Sequence, residues 1–424
     1  MSALPEPTFA VRMSLLGVEL HKLTAIKSYR LSSNFMTATD GWEFVAIAND
    51  QGDTRQLQNL SLQPVELLVD GKPQVVGRVD TVTMGDAGGA VTFSGRDYLA
   101  DLVECHVDPS LRLKKGLSLR DVITLACGPC GIKAVASADE LALRNLVSGR
   151  SHGVNDPGLD FKALKAEDYK PNPGEGMYAF VNRILARHRC TMQPTPNDRT
   201  MVVLAQPMFS QEASANITRR IGAVPAEGNN VISGRATRGY GSMPTHVLVT
   251  GKSGAAGRSK AAGAAEVNAT NELVRIVPPA PDAGFSSATA LSGSPEVDPL
   301  LFAQGRILPE QAPGLALGLG ELYRLHYRRD TEARTAAHLA ALAYRLFVDR
   351  YKDTLRYEAT LQGHYDLETG ALWSVDTIVQ VRDEQCGIDE PLWVEGRELS
   401  YDAGSGPTTR LTCWRPGTFL LGAP

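Results

Sequence analysis

Val65-Glu-Leu-Leu-Val69-Asp70-Gly71, followed by Val75-Val-Gly-Arg-Val79-Asp-Thr-Val82, is the stretch on which the fold turns. Two apolar runs flank Asp-Gly, the strongest short hairpin signal, because both residues tolerate the positive φ that a tight turn between strands demands. Val75, Gly77 and Val79 fall on one face of the second run, as period-two spacing requires. A turn at Gly85-Asp-Ala-Gly-Gly89 then leads into Ala90-Val-Thr-Phe-Ser94.

Upstream, Phe9-Ala-Val-Arg-Met-Ser-Leu15 alternates, Tyr29-Arg-Leu-Ser32 is short and β-like, and Trp42 to Ala48 reads as a strand. Its apolar positions 42, 44, 45 and 47 give a half-buried strand with one irregularity. Strands at such short spacing predict an antiparallel barrel or sandwich.

Downstream the period changes. Asp97 to Val103 predicts a helical turn, and Ser118 to Ala126 a helix with Ser118 as N-cap. Residues 147–174 read as a loop. Gly174 to His188 places Met177, Phe180, Val181, Ile184 and Leu185 on one face of an amphipathic helix. A turn at Asn197-Asp198 and a strand from Met201 complete a mixed α/β segment. β character returns at Asn230 to Ser233 and His246 to Thr250. Residues 252–320, rich in Gly, Ala, Ser and Pro, read as a long surface excursion, in part disordered. Thr331 to Asp349 reads as a helix. Thr354 to Leu361 alternates, and strands near 374–381, 392–399 and 408–413 finish the chain. A β module at each end is consistent with duplication without establishing one.

The 424 residues suffice for two to four domains, and 43% hydrophobic with 21% charged residues describes an ordered globular chain. Forty glycines and 25 prolines suit many turns better than a helical bundle. The net charge of −4 argues against binding nucleic acid by neutralising phosphates, though not against DNA passing through. No apolar run approaches the ~20 residues that span a bilayer, and no basic-then-apolar leader opens the chain, so cytoplasmic synthesis is expected.

The loudest chemical motif is Cys127-Gly-Pro-Cys130. In thiol–disulfide oxidoreductases such a pair sits at a helix N-terminus, where the dipole favours the thiolate. Here it follows an apolar helical stretch, so the dipole opposes ionisation and packing is the better reading. The six cysteines (105, 127, 130, 190, 386, 413) form no disulfide framework. The eight histidines (21, 106, 152, 188, 246, 326, 338, 364) give no metal-ligand spacing, and Asp349 and Asp353 sit among basic neighbours. Gly251-Lys-Ser-Gly254 fails P-loop spacing because position 246 is His, and Ser94-Gly-Arg-Asp97 is no nucleophile elbow. No catalytic, cofactor-binding or metal-binding residue is nominated.

Taken in order, these segments resemble the baseplate hub family of contractile tails, which includes the phage Mu hub and the late control protein D group. The resemblance is carried by Val65 to Gly71, Val76-Gly-Arg-Val-Asp80, Val91-Thr-Phe-Ser-Gly-Arg-Asp-Tyr-Leu-Ala-Asp-Leu-Val103, Gly174 to His188 and Met201 to Leu204. Gly370 to Glu384, Leu392 to Asp402 and Gly406 to Pro416 close the set. It implies a mainly β, α+β fold: two tube-like antiparallel barrels around a small α/β segment, assembling as a trimeric ring.

The expected domains are a first barrel at 1–104, a mixed α/β middle at 105–226, a second barrel at 227–415 and a tail at 416–424. The second barrel would carry an insertion at about 252–330 and a helix at about 331–350. The resemblance further implies a non-enzymatic virion protein of the tail baseplate, assembled in the host bacterial cytoplasm. Its partners would be its own copies, the trimeric central spike, the tail tube or its initiator ring, baseplate wedge proteins and the tape measure protein. No cofactor is implied. A tailocin or other injection machine stays open, and the enzyme alternatives are a thiol oxidoreductase or a cell-wall hydrolase.

Overall fold

A computed structural model describes residues 8–13, 24–48, 60–84, 89–113, 119–137, 170–187, 191–205 except 197, 207, 212–222, 229–239, 241, 244, 246–251, 264–268, 274–277, 325–330, 346 and 350–416. The first six strands are β1 (Phe9–Met13), β2 (Thr24–Asn34), β3 (Gly41–Ala48), β4 (Pro64–Val69), β5 (Lys72–Met84) and β6 (Ala90–Asp97). Asp70 and Gly71 take φ of 50° and 73°, the two positive values of a tight β4–β5 hairpin. Asp70 Oδ1 also accepts the Thr8 N–H at 2.7 Å, which ties the turn to the entry of β1.

Alternation holds along β6, where Val91, Phe93, Gly95 and Asp97 point inward. On β3 it is stricter than the sequence suggested. Trp42, Phe44 and Ala46 are buried while Ile47 is 37% exposed, because the pleat outranks the apolar run. Stacked rings of Trp42, Phe44 and Phe93 fill the centre of this first core.

Two glycines explain the Gly77-Arg-Val and Ser94-Gly95-Arg segments. A Cβ on Gly77 would lie 2.0 Å from the Arg96 carbonyl oxygen, and one on Gly95 2.1 Å from that of Arg78. Only glycine lets β5 and β6 approach so closely. The β5 residue Asp80 is an unpaired bulge residue between Val79 and Thr81, and its carboxylate bonds Arg96 Nε at 2.7 Å.

The middle segment holds α1 (Ala100–Glu104), α2 (Leu119–Cys127), a 3-10 turn (Gly128–Cys130), β7 (Ala134–Ser137), α3 (Met177–Arg187), β8 (Thr191–Pro194) and β9 (Met201–Ala205). The five apolar positions of α3, from Met177 to Leu185, are buried as the 3.6-residue period requires. They pack on Leu99, Leu102, Val122, Ile123 and the inner face of a small sheet ordered β7-β9-β8. Ser118 lies outside the described residues, as do most of 147–174 and 416–424.

The remaining strands are β10 (Ala215–Arg219), β11 (Val231–Arg238), β12 (His246–Gly251), β13 (Ala264–Asn268), β14 (Val274–Val277), β15 (Leu325–Asp330), β16 (Leu355–Gln362), β17 (Ile378–Asp383), β18 (Ile388–Asp402) and β19 (Gly406–Trp414). β10 precedes the expected boundary at 227 yet pairs with β17. The expected excursion at 252–320 is corrected in part: β13 and β14 lie inside it and form a four-stranded sheet, β14-β13-β12-β15. The weak β preference of the alanines in β13 is overridden by pairing with β12 on one edge and with Val274-Arg-Ile-Val277 of β14 on the other. Of the helix expected at 331–350, residues 346 and 350 are helical and so are 351 and 352; the rest lies outside the described residues. Ser374 to Thr377 is not strand, and a bend falls at Val375 and Asp376, with Asp376 at φ 57°.

The structure is mostly antiparallel β, with one sheet running β1-β4-β5-β6-β3-β2-β18-β19-β16-β11 and β10-β17 branching from β18. This sheet holds one strand order twice. In chain order, β1 to β6 are arranged 1-4-5-6-3-2, and β10, β11, β16, β17, β18 and β19 are arranged 10-17-18-19-16-11. Bulges coincide as well: Val79/Thr81 on β5 matches Val394/Gly396 on β18, and Ile26/Ser28 on β2 matches Val231/Ser233 on β11. At the residue before each β5-type bulge, Val79 bonds Leu62 and Gln63 while Val394 bonds Asp376 and Thr377 in the same donor–acceptor pattern. Leu62 and Asp376 both hold positive φ, a strained choice for residues other than glycine. One strand differs: β1 runs antiparallel to β4, whereas β10 runs parallel to β17.

Gly95→Ala should therefore cost more than about 2 kcal/mol in a urea unfolding midpoint analysis. Gly41→Ala, with open space around the new methyl, should stay within about 0.5 kcal/mol. Equal effects would remove the close-approach argument.

Candidate functional site

Strand β18 is long because it serves both strand sets. One edge pairs with β19 over Trp393 to Asp402; the other pairs with β17 up to Trp393 and then with β2 from Gly396 to Asp402. Leu399 sits opposite Leu31 and is buried in the core of the first set, although it comes from the second. The resulting seam is where the geometry of the chain is concentrated.

A polar relay crosses it. His364 is 2% exposed; its Nε2 lies 2.8 Å from Tyr29 Oη on β2 and its Nδ1 3.1 Å from Thr409 Oγ1 on β19. Thr409 Oγ1 already donates to the Gly363 carbonyl at 2.7 Å, so it accepts here. Nδ1 therefore carries the proton and Nε2 accepts from the tyrosine hydroxyl. Burial pushes His364 down to about 4, with Asp70 opposing and Arg397 assisting. Phe9 and Tyr401 both stack on Tyr29, with centroids 4.1 and 5.7 Å away.

A second buried group joins the β2–β3 turn, the end of β6 and β18. Asp97 accepts the N–H groups of Asp40 and Leu99 at 2.6 and 2.8 Å. Burial, then the neighbouring Asp40, pushes Asp97 up to about 7 against these bonds. Burial likewise raises Asp40, with Ser33, Arg397 and the Asn34 N–H pulling the other way. Arg397 donates to the Trp373 carbonyl at 2.8 Å, and burial lowers it to about 10. Phe35 meets Trp393 edge-on at 5.7 Å, and Gln193 from the middle segment donates to the Phe35 carbonyl at 2.9 Å. All three parts of the chain thus meet at one place.

In the second set Asp383, fully buried, holds Arg219 at 2.7 Å and accepts from Tyr357 Oη at 2.8 Å and the Cys386 N–H at 2.9 Å. Burial alone would raise this carboxyl; the bonds from Arg219, Cys386 and Tyr357 outweigh it and hold it low. Gly234 covers the group, since a Cβ there would lie 2.8 Å from Asp383 Oδ2.

The cysteine motif falls where the helix-end reading placed it. Cys127 closes α2 and is fully buried, and Cys130 ends the following 3-10 turn. Burial, then Cys130, pushes Cys127 up to about 12; burial, then Cys105, does the same to Cys130. Neither thiol is a thiolate near neutrality. Among the described residues, no group of three or more His, Cys, Asp or Glu could hold a metal. His326 lies on β15, lowered by burial and by Arg350 and Arg328, and Asp353 pairs with Lys352 at 3.6 Å. Asp349, His21, His152, His188, His338 and Cys190 lie outside the described residues, as does Lys252 to Gly254. Among the described residues, no helix is long and apolar enough to cross a membrane.

Sequence reading singled out none of the seam residues. Tyr29, His364 and Thr409 are separated by as many as 335 residues within one contact, and nothing local marks them.

No protein-family profile matches the chain, and no curated protein matches it. Solved structures do. The tail protein from Neisseria meningitidis MC58 is 17% identical with a TM-score of 0.63, covering 98% of each chain. The 43 kDa tail protein of prophage MuSo2 from Shewanella oneidensis is 16% identical with a TM-score of 0.61, covering 97% of this chain and 98% of that one. Prophage tail protein gp18 from Listeria monocytogenes EGD-e is 12% identical with a TM-score of 0.50, covering 96% and 94%. The chain has the fold of phage tail proteins.

The seam makes stability depend on pH with a definite sign. His364 binds its proton less tightly folded than unfolded, so its contribution is complete above 6.5 and is lost as pH falls toward about 4. The loss is on the order of 3 kcal/mol. His364→Gln should flatten this part of the pH profile in urea unfolding. A stability difference between the two proteins that stays constant across the range would contradict the relay.

Proposed function

We propose that the chain is a structural virion protein, the trimeric baseplate hub of a contractile phage tail. Each strand set is a tube-like barrel, and three chains supply six of them. Such a collar adapts a sixfold tail tube to a threefold central spike and lines a channel for the tape measure protein and DNA. Wedge proteins would grip its outer surface.

The observation that carries this reading is the repeated strand order with its matching bulges. A chain that holds the same six-strand unit twice can present six like units around a threefold axis. Contacts between the first two strands of each set favour barrels: Phe9 of β1 stacks on Tyr29 of β2, and Asn230, at the start of β11, exchanges hydrogen bonds with Thr218 of β10. The net charge of −4 suits a lumen that DNA crosses without adhering. The high thiol pKa values of Cys127 and Cys130 favour a packing role over redox chemistry.

Sedimentation equilibrium of the purified chain, alone and with its cognate spike, should give three copies per particle. Cys127→Ser should leave that mass unchanged, and neither form should reduce insulin disulfides. A protein that stays monomeric in both conditions, or whose reductase activity vanishes with Cys127→Ser, would overturn the proposal.

A further inference from the structure

The seam within the chain also describes a junction between chains. In it, β2, sixth in the first set's order, pairs antiparallel with the far half of β18, third in the second set's order. The counterparts of these two strands are β11 and β5. Among the described residues, the far edge of β11 and the far edge of β5 at Thr81 to Thr83 carry no strand ladder.

We infer that β11 of one copy pairs antiparallel with the far half of β5 of the next, in the register of the internal seam. This rests on the trimeric reading and gives it a specific contact. The register follows by counting from matched bulges. Val79 corresponds to Val394, so Thr81, Val82, Thr83 and Met84 correspond to Gly396, Arg397, Glu398 and Leu399. Ser28 corresponds to Ser233, so Ser32 and Asn34 correspond to Thr237 and Gly239. The internal pairs Asn34–Gly396, Ser33–Arg397, Ser32–Glu398 and Leu31–Leu399 become Gly239–Thr81, Arg238–Val82, Thr237–Thr83 and Ala236–Met84.

Chemistry agrees with the geometry. Thr81, Thr83, Thr237 and Arg238 are exposed, β-favouring or long side chains, and among the described residues no strand pairs with the edges that carry them. A bare strand edge is a template for another strand, and a closed ring of three copies uses each edge once. The occupant is a second copy because the matching edge is on the same chain, at the matching position of the other set.

The test is disulfide trapping in the full chain. Directly opposite residues in an antiparallel pair lie close enough to bridge. Thr83→Cys with Thr237→Cys should give covalent dimers and closed trimers on mild oxidation, and neither single variant should. Ser32→Cys with Glu398→Cys, the internal counterpart whose side chains already meet at 3.4 Å, should bridge within one chain and serve as the positive control. Thr83→Cys with Ser233→Cys is displaced by four residues, about 13 Å, and should not bridge. A sedimenting trimer in which the internal pair bridges and Thr83/Thr237 does not would refute this junction and leave the trimeric reading standing. Equal trapping of Thr83/Ser233 would refute the register. A monomer that traps nothing between chains would remove both.

Discussion

The ladder between β2 and β18 is the constraint from which the rest of this structure follows. It joins residues 366 positions apart, as in the Ser32–Glu398 contact, and turns two six-stranded sets into one sheet. Because β18 gives one edge to β17 and then to β2, the two sets share a strand and are fixed in relative direction by backbone hydrogen bonds. Leu399 completes a core it does not belong to by sequence. The first set is therefore finished only when nearly the whole chain has been made, a non-local closure that slows folding.

What differs between the sets shows how such a unit tolerates elaboration. The middle α/β segment is inserted after the last strand of the first set, and the β12 to β15 sheet after the second strand of the second set. Both insertions enter at strand ends, where added chain leaves the ladders intact. The features that recur are those that set strand direction and spacing: the two bulges, the positive-φ residues Leu62 and Asp376, and the offsets along four strand pairs. Side chains at matched positions differ freely. Gly77 and Gly95 relieve a close approach in the first set, where Leu392 and Cys413 occupy the matched positions in the second.

Local signals made much of this legible. Asp70-Gly71 announced its hairpin because both residues accept positive φ. The buried face of α3 was readable from Met177 to Leu185, since one helix face meets one core. The helix-end position of Cys127 was readable from the apolar run that precedes it. Four things were not legible. Ile47 looked inward because hydrophobicity was read without the pleat. β13 and β14 were hidden in a stretch rich in small residues, and their strand character comes from pairing, β13 with β12 and β14 with β13. The seam, with Tyr29, His364 and Arg397, is made by residues hundreds of positions apart, and the duplication lives in bulge positions and strand order that leave no short repeat in the letters.

An electron cryomicroscopy reconstruction of the assembled protein tests the central claim, that copies meet as the two halves of one copy meet. The account predicts six similar lobes around a threefold axis, with the strand junction between chains superposable on the β2–β18 junction within a chain. A particle in which chains touch through the middle α/β segment, with β11 and the far half of β5 left bare, would contradict it.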